Sequence, residues 1–171
     1  MLGVPPDLTL RPLAAADAAE LRRIHATPEV ARWWDAPDDD FPFDDDEVTR
    51  LVIDVGGRAA GMIQFYEEPD PKYRHASIDV FLDPALHGRG IGAEAVRRVA
   101  AMLIEERGHH RITIDPAAGN AAAIRAYEKA GFRRVGVMRG YERDTGGDGW
   151  HDGLLMELVV DRGKDRPGDR R

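Results

Sequence analysis

Two aspartates, a tyrosine and a run of glycines are the residues of this chain best suited to chemistry. Asp79 interrupts the apolar run Ala76-Ser77-Ile78-Asp79-Val80-Phe81-Leu82, and Asp115 closes the short run Arg111-Ile112-Thr113-Ile114. A carboxylate in an apolar strand is costly unless it is used, and a positioned carboxylate can hold an ammonium group and take its proton. Between the two lies His87-Gly88-Arg89-Gly90-Ile91-Gly92, which runs into the amphipathic stretch Ala93 to Val99. Glycines let a turn tighten and bring its N–H groups close to a ligand. A helix that opens there aims the positive end of its dipole at the same point. Strand, glycine turn and helix start together form a cradle for the diphosphate of a cofactor.

The spacing narrows the cofactor. A dinucleotide fold wants Gly-x-Gly-x-x-Gly near the chain start with an acidic residue about 20 positions on. Here the glycines fall as Gly88-x-Gly90-x-Gly92, late in the chain. A nucleotide-triphosphate loop ends in Gly-Lys-Ser/Thr, whereas this one continues Gly92-Ala93-Glu94. The segment His87-x-x-Gly90-x-Gly92 instead resembles the pyrophosphate loop of acyl-CoA-dependent N-acyltransferases, with His87 in place of the usual Gln or Arg. A second block follows, Asp115-Pro116-Ala117-Ala118-Gly119-Asn120, then Ala123-Ile124-Arg125-Ala126-Tyr127-Glu128-Lys129-Ala130-Gly131-Phe132. It resembles the second signature of the GNAT acetyltransferase superfamily. Asn120 suits a helix start, Gly131 suits its stop, and Tyr127 falls two turns beyond Asn120 on the same face.

From about Leu8 to Val160 the chain is similar to the aminoglycoside 6′-N-acetyltransferases. The matching pieces are Thr9-Leu10-Arg11, Val30-Ala31-Arg32-Trp33-Trp34, Gly61-x-x-Gln64-x-Tyr66, Ile78-Asp79 and the two blocks above. The resemblance implies an α/β GNAT fold. Its mixed central sheet of six to seven strands splits into a V-shaped acyl-CoA cleft, flanked by about four helices. It implies acetyl-CoA as co-substrate, held by Val80, Phe81, Leu82, His87, Gly88, Arg89, Gly90, Ile91, Gly92, Ala93, Asn120, Ala123 and Tyr127. It places Trp34, Tyr66, Asp79 and Asp115 at the acceptor pocket. It casts Asp79 as proton acceptor and Tyr127 as the acid that protonates the departing thiolate. The expected reaction is direct acetyl transfer, in a ternary complex, to a primary amine of a cationic small molecule, most closely an aminoglycoside 6′-amine. The loop Glu67 to His75 departs from the resembled enzymes, being shorter and carrying Lys72 and Arg74.

The elements that must position these residues read as follows. Leu8 to Leu13 alternates like a strand, Asp17 to His25 has helical spacing, and a short helix spans Pro28 to Trp34. Arg50 to Val55 and Ala59 to Tyr66 form a hairpin about Gly56-Gly57. A central strand, Ala76 to Leu82, precedes the glycine loop and a helix to about Arg107. A strand at Arg111 to Ile114 and a helix at Asn120 to Ala130 come next. Strands at Phe132 to Met138 and Leu154 to Val160 close the domain, with a loop from Gly140 to Gly153 between them. Residues 1–160 read as one domain and residues 161–171 as a charged, disordered tail. Between Asp35 and Glu47 lie eight carboxylates and no base, interleaved with Phe41 and Phe43 and preceded by Trp33-Trp34. That loop suits a polycation, through charge and aromatic faces; a solvated, self-repelling loop is the other reading.

Bulk properties exclude several classes. Among 171 residues there is no cysteine, so disulfides, thiolate metal sites and cysteine nucleophiles are out. The net charge of −7 argues against nucleic acid and anionic membranes as partners and suits a cationic substrate. Six scattered histidines show no ligand spacing, so no metal is expected. No apolar run reaches the ~18 residues of a membrane span, and no leader pattern opens the chain. A cytoplasmic monomer or homodimer is the expectation. Two other readings stay open: a GNAT enzyme acting on another small amine (a polyamine, a lysine-like siderophore precursor or a peptide N-terminus), and a non-catalytic acyl-CoA-binding module.

Overall fold

The structure, a computed structural model, describes residues 7–160; the tail expected at 161–171 lies outside them. Seven strands form one mixed sheet in the order β1-β2-β3-β4-β5-β7-β6. They are β1 (Leu8–Pro12), β2 (Thr49–Val55), β3 (Arg58–Glu67), β4 (Ala76–Leu82), β5 (Arg111–Ile114), β6 (Arg133–Arg143) and β7 (Trp150–Val159). Four helices flank them: α1 (Ala18–His25), α2 (Pro28–Ala31), α3 (Ile91–Glu105) and α4 (Ala121–Lys129). None of the helices is long and apolar enough to cross a membrane among the described residues.

Side-chain alternation builds two cores, one on each face of the sheet. Ile53, Ile63 and Ile78 point to one face and meet Ala95, Val96, Val99 and Leu103 of α3 and Ile124 and Tyr127 of α4. Their sequence neighbours Val52 and Met62 point to the other face, with Phe81, under Leu21 and Ile24 of α1 and Phe41 of the acidic loop. The hairpin β2–β3 turns through Gly56 and Gly57, both at positive φ (62° and 79°), the backbone that a two-residue turn of this kind requires. At Gly61 a Cβ would stand 2.3 Å from the carbonyl oxygen of Phe81. Only glycine lets β3 lie this close to β4.

The feature that makes the site is a split in the sheet. β3 and β4 pair along seven positions, from Gly61↔Leu82 to Glu67↔Ala76. β4 and β5, the one parallel pair, stay together only at Ala76↔Ile112 and Ser77↔Thr113. Beyond Ser77 the two strands diverge, so the edge of β4 from Ile78 onward faces a cleft.

Two expectations need correction. The segment Gly140 to Gly153 is not a loop throughout: β6 runs to Arg143 and β7 starts at Trp150, leaving only a short turn. Gly140 (φ 56°) sits at an irregularity rather than at a strand end. There the register jumps from Met138↔Gly153 to Glu142↔His151, so β6 carries extra residues and bends. The acidic loop is also not unpaired. Arg50 on β2 forms an ion pair with Asp44 and donates to the Pro42 carbonyl at 2.7 Å, Arg22 donates to the carbonyls of Asp38 and Asp39, and Phe41 and Pro42 are buried. The bases that dock it come from elements distant in sequence.

Candidate active site

The glycine loop is shaped by its own sequence. Asp83 caps the short turn Pro84–Leu86, its carboxylate accepting from the Ala85 N–H at 2.9 Å. Gly88 and Gly90 then adopt positive φ (76° and 78°), and α3 begins at Ile91, whose side chain is buried and anchors the helix start. The first N–H groups of a helix have no partner within it, so those of Ile91, Gly92 and Ala93 point out of its N-terminus. A Cβ placed on Gly88 or on Gly92 would find nothing within 4 Å, so open space lies in front of the cradle. That space and those donors fit a diphosphate. His87 differs from its expected part. Its backbone N–H is bonded to the Pro84 carbonyl at 3.1 Å, so the run of free donors starts at Gly88. Its ring Nε2 lies 3.0 Å from the Leu82 carbonyl oxygen and ties the loop to the strand. Arg89 is exposed and does not line the cleft.

Strand geometry decides which β4 groups face the cleft. The Asp83 N–H donates to Ala60 on β3 at 2.8 Å. By alternation, the N–H and C=O of Phe81 also face β3, whereas those of Val80 and Leu82 face the open side. The Leu82 carbonyl on that side is taken by His87. Strand-like pairing with an extended ligand is therefore open to Val80 and to the Leu82 N–H. The main chain of Phe81 is committed to the sheet, and its ring packs edge-on against Trp34 at 5.2 Å and His25 at 5.5 Å.

A cleft of about 1160 Å³ opens between the diverging strands. It gathers Asp79, Asp115, Tyr127, Asn120 and Ala123 with the glycine loop at one end and Trp34 at the other. Asp79 faces the water of the cleft yet is ringed by protein. That surrounding, with the negative charge of Asp115 second, pushes its pKa up from 3.8 to about 6. Asp115 is also raised by burial, partly offset by the hydroxyl of Tyr141 within hydrogen-bonding reach. Tyr127 is buried, and its hydroxyl is held well above the usual phenol range by desolvation and then by Asp79 and Asp115. It keeps its proton at any physiological pH. Asn120 caps α4, its side chain accepting from the Ala123 N–H at 3.2 Å, which leaves its amide NH₂ for a ligand.

A relay fixes Asp79. Arg50 donates from Nε to Gln64 Oε1 at 2.9 Å, so the other end of that amide must be its NH₂. The Gln64 NH₂ in turn donates to Asp79 Oδ2 at 3.3 Å. The same Arg50 holds Asp44, so the acidic loop and the central carboxylate share one anchor. Tyr66, expected at the acceptor pocket, does not line the cleft; it lies two residues further along β3, beside Ser77, with Glu68 and Glu47 near its hydroxyl. Trp34 both lines the cleft and packs in the aromatic cluster.

Sequence reasoning missed Tyr141 and Glu142, which line the cleft from β6. The glycines of 140–149 hid that β6 continues past Gly140 to Arg143 and that β7 starts at Trp150. Gly153 explains how the arm folds in: a Cβ there would meet the Tyr141 ring at 2.8 Å. The bend is tied to the Asp115 loop by bonds from Ala118 N–H to the Asp152 carbonyl and from Leu154 N–H to the Pro116 carbonyl, both 2.8 Å. Among the described residues, no group of three or more His, Asp or Glu side chains is arranged to hold a metal ion.

A sheet split between a parallel strand pair, with a glycine-rich helix start at one lip and a protonated tyrosine facing carboxylates, defines an acyl-CoA-dependent transferase. The chain belongs to the GNAT acetyltransferase family, whose sequence pattern matches residues 18–132, and acetyl-CoA is its co-substrate. Over 155 residues it is 30% identical to the aminoglycoside N(6′)-acetyltransferase type 1 of Klebsiella pneumoniae, covering 77% of this chain and 76% of that one. Among solved structures it is similar to the aminoglycoside acetyltransferase AAC(6′)-Ib in complex with coenzyme A and kanamycin, with TM-score 0.72 and 27% identity over 89% of this chain and 94% of that one. The spermidine N-acetyltransferase of Vibrio cholerae shares the fold, with TM-score 0.74 and 20% identity over 90% and 95% of the two chains.

Proposed function

We propose that this enzyme acetylates a primary amine of a polycationic small molecule, with the 6′-amine of an aminoglycoside as the acceptor. The observation that carries the reading is the cleft itself, where Asp79 and Asp115 face Tyr127 across the open edge of β4. Relatives with that activity and 30% identity support the choice of acceptor.

Acetyl-CoA supplies the thioester that the amine attacks. The N–H groups of Gly88 to Ala93 hold its diphosphate, Val80 pairs with its extended arm, and the Asn120 amide donates to it. Asp115, whose charge the Tyr141 hydroxyl supports against the burial that raises its pKa, draws the ammonium group into the cleft. An amine attacks only as the free base, so Asp79 takes its proton, directly or through a water. Its raised pKa of about 6 makes it a better base than an ordinary aspartate while leaving it ionised at neutral pH. The Leu82 N–H polarises the carbonyl under attack. Tyr127 gives its proton to the leaving sulfur. The transfer is direct, in a ternary complex, as the family resemblance implies, and the absence of cysteine agrees with that.

CoA-thiol release with kanamycin, tobramycin and neomycin, beside spermidine and lysine, tests the reading. Turnover with 6′-amino aminoglycosides and none with a 6′-hydroxyl analogue is expected. Turnover only with spermidine or lysine would move the acceptor to another amine class, which the short, cation-bearing loop Glu67 to His75 would then help explain. Acetyl-CoA binding without any amine-dependent release would leave a non-catalytic module.

A further inference from the structure

The reaction uses Asp79, Asp115 and Tyr127, but the cleft carries a further carboxylate, on β6, that the chemistry does not use. Glu142 sits just past the bend in β6, which turns this part of the strand over the cleft. It is half-buried. Its hydrogen-bond partner is His151, whose Nε2 lies 3.2 Å from Glu142 Oε2 and whose Nδ1 lies 3.0 Å from Asp144 Oδ1. The imidazole thus fixes the direction of Glu142 from behind. Several acids are matched to guanidinium groups, as Asp44 is to Arg50, Glu157 to Arg111 and Asp17 to Arg11. Among the described residues, no arginine or lysine pairs with Asp79, Asp115 or Glu142. The negative charge of Glu142 is felt at Asp79, so the three share one field.

We infer that Glu142 is a specificity-determining residue: it receives a second ammonium group of the acceptor while the first sits between Asp79 and Asp115. The inference rests on the proposed acceptor class and goes further, since it requires at least two cationic groups on one substrate. The same arm ends near the acidic loop: Thr145 and Gly146 flank a smaller cavity with Asp35, Ala36 and Pro37. An acceptor that reaches beyond Glu142 toward that cavity therefore meets the carboxylate of Asp35. A charge held by a permanently protonated guanidinium is satisfied before any ligand arrives, whereas Glu142, held only by an imidazole, takes an ammonium group from the substrate.

The test compares kcat/KM for kanamycin, which carries several amines, with that for 6-amino-6-deoxyglucose, which carries the reacting amine alone. The wild type should favour kanamycin strongly. In Glu142→Gln that ratio should fall by about tenfold, the size of one lost charge-assisted contact, mostly through KM for kanamycin. Glu142→Asp should keep most of the ratio, and the KM for acetyl-CoA should be common to all three proteins. An unchanged ratio in Glu142→Gln, including one in which both substrates slow equally, would overturn the inference and leave the proposed function standing. A wild type that uses spermidine instead of kanamycin overturns the aminoglycoside reading alone, and the ratio for spermidine over butylamine then decides the role of Glu142. A wild type inactive with every amine overturns both.

Discussion

Asp79 concentrates the chemistry because three neighbours act on one carboxylate. Protein around it and the charge of Asp115 raise its pKa to about 6, and the Gln64 amide opposes them. The base works only when ionised, so kcat/KM should climb with pH through a limb near 6 and level off above it. Asp79→Asn should abolish that limb and most of the turnover, as a pH–rate series would show. Stability should move the other way. A carboxyl whose folded pKa lies above its unfolded value of 3.8 binds its proton more tightly in the folded state, so ionisation costs stability as pH rises through that window. Asp79→Asn should therefore melt at a higher temperature than the wild type at pH 7.5, with the difference shrinking toward pH 4. Tyr127 serves as an acid by staying protonated, and Tyr127→Phe should lower kcat by roughly 100-fold with little change in KM for acetyl-CoA. Equal kcat in the two proteins would remove the acid role from that hydroxyl.

At the scale of elements, the close approach of β3 and β4 depends on Gly61. Gly61→Ala forces a methyl group against the Phe81 carbonyl, and overpacking of that kind costs about 1–3 kcal/mol. Thermal unfolding should record the loss, and KM for acetyl-CoA should rise with it, because β4 carries the open edge. The legibility of elements in the sequence followed their local signals. β2, β3, β4 and α3 were readable because alternation and helical spacing run uninterrupted through Arg50 to Tyr66 and from Ala76 onward. The arm formed by β6 and β7 was not. Its glycines at 140, 146, 147 and 149 look alike in sequence, yet the first marks a bend within β6 and the others the turn between strands. Tyr141 and Glu142 were hidden for that reason. The docking of the acidic loop was unreadable for another, since Arg22 and Arg50 reach it from α1 and β2. At the cofactor loop, spacing marked the right turn, but only the fold shows that the backbone N–H of His87 is turned inward.

On the scale of the whole molecule, a chain of net charge −7 places Asp79, Asp115 and Glu142, none of them paired with an arginine or lysine among the described residues, along a cleft of about 1160 Å³. Carboxylates outnumber lysines and arginines along the cleft, and such an excess concentrates a polycation there. In the proposed reading Asp79 and Asp115 take the reacting amine, and Glu142 receives a second cationic group beyond it. The most direct test of that account follows acetyl label from acetyl-CoA into kanamycin and locates it by NMR. One acetyl group on the 6′ nitrogen, at a rate that falls sharply in Asp79→Asn, is the predicted result. Label that enters spermidine or lysine but never kanamycin would contradict it.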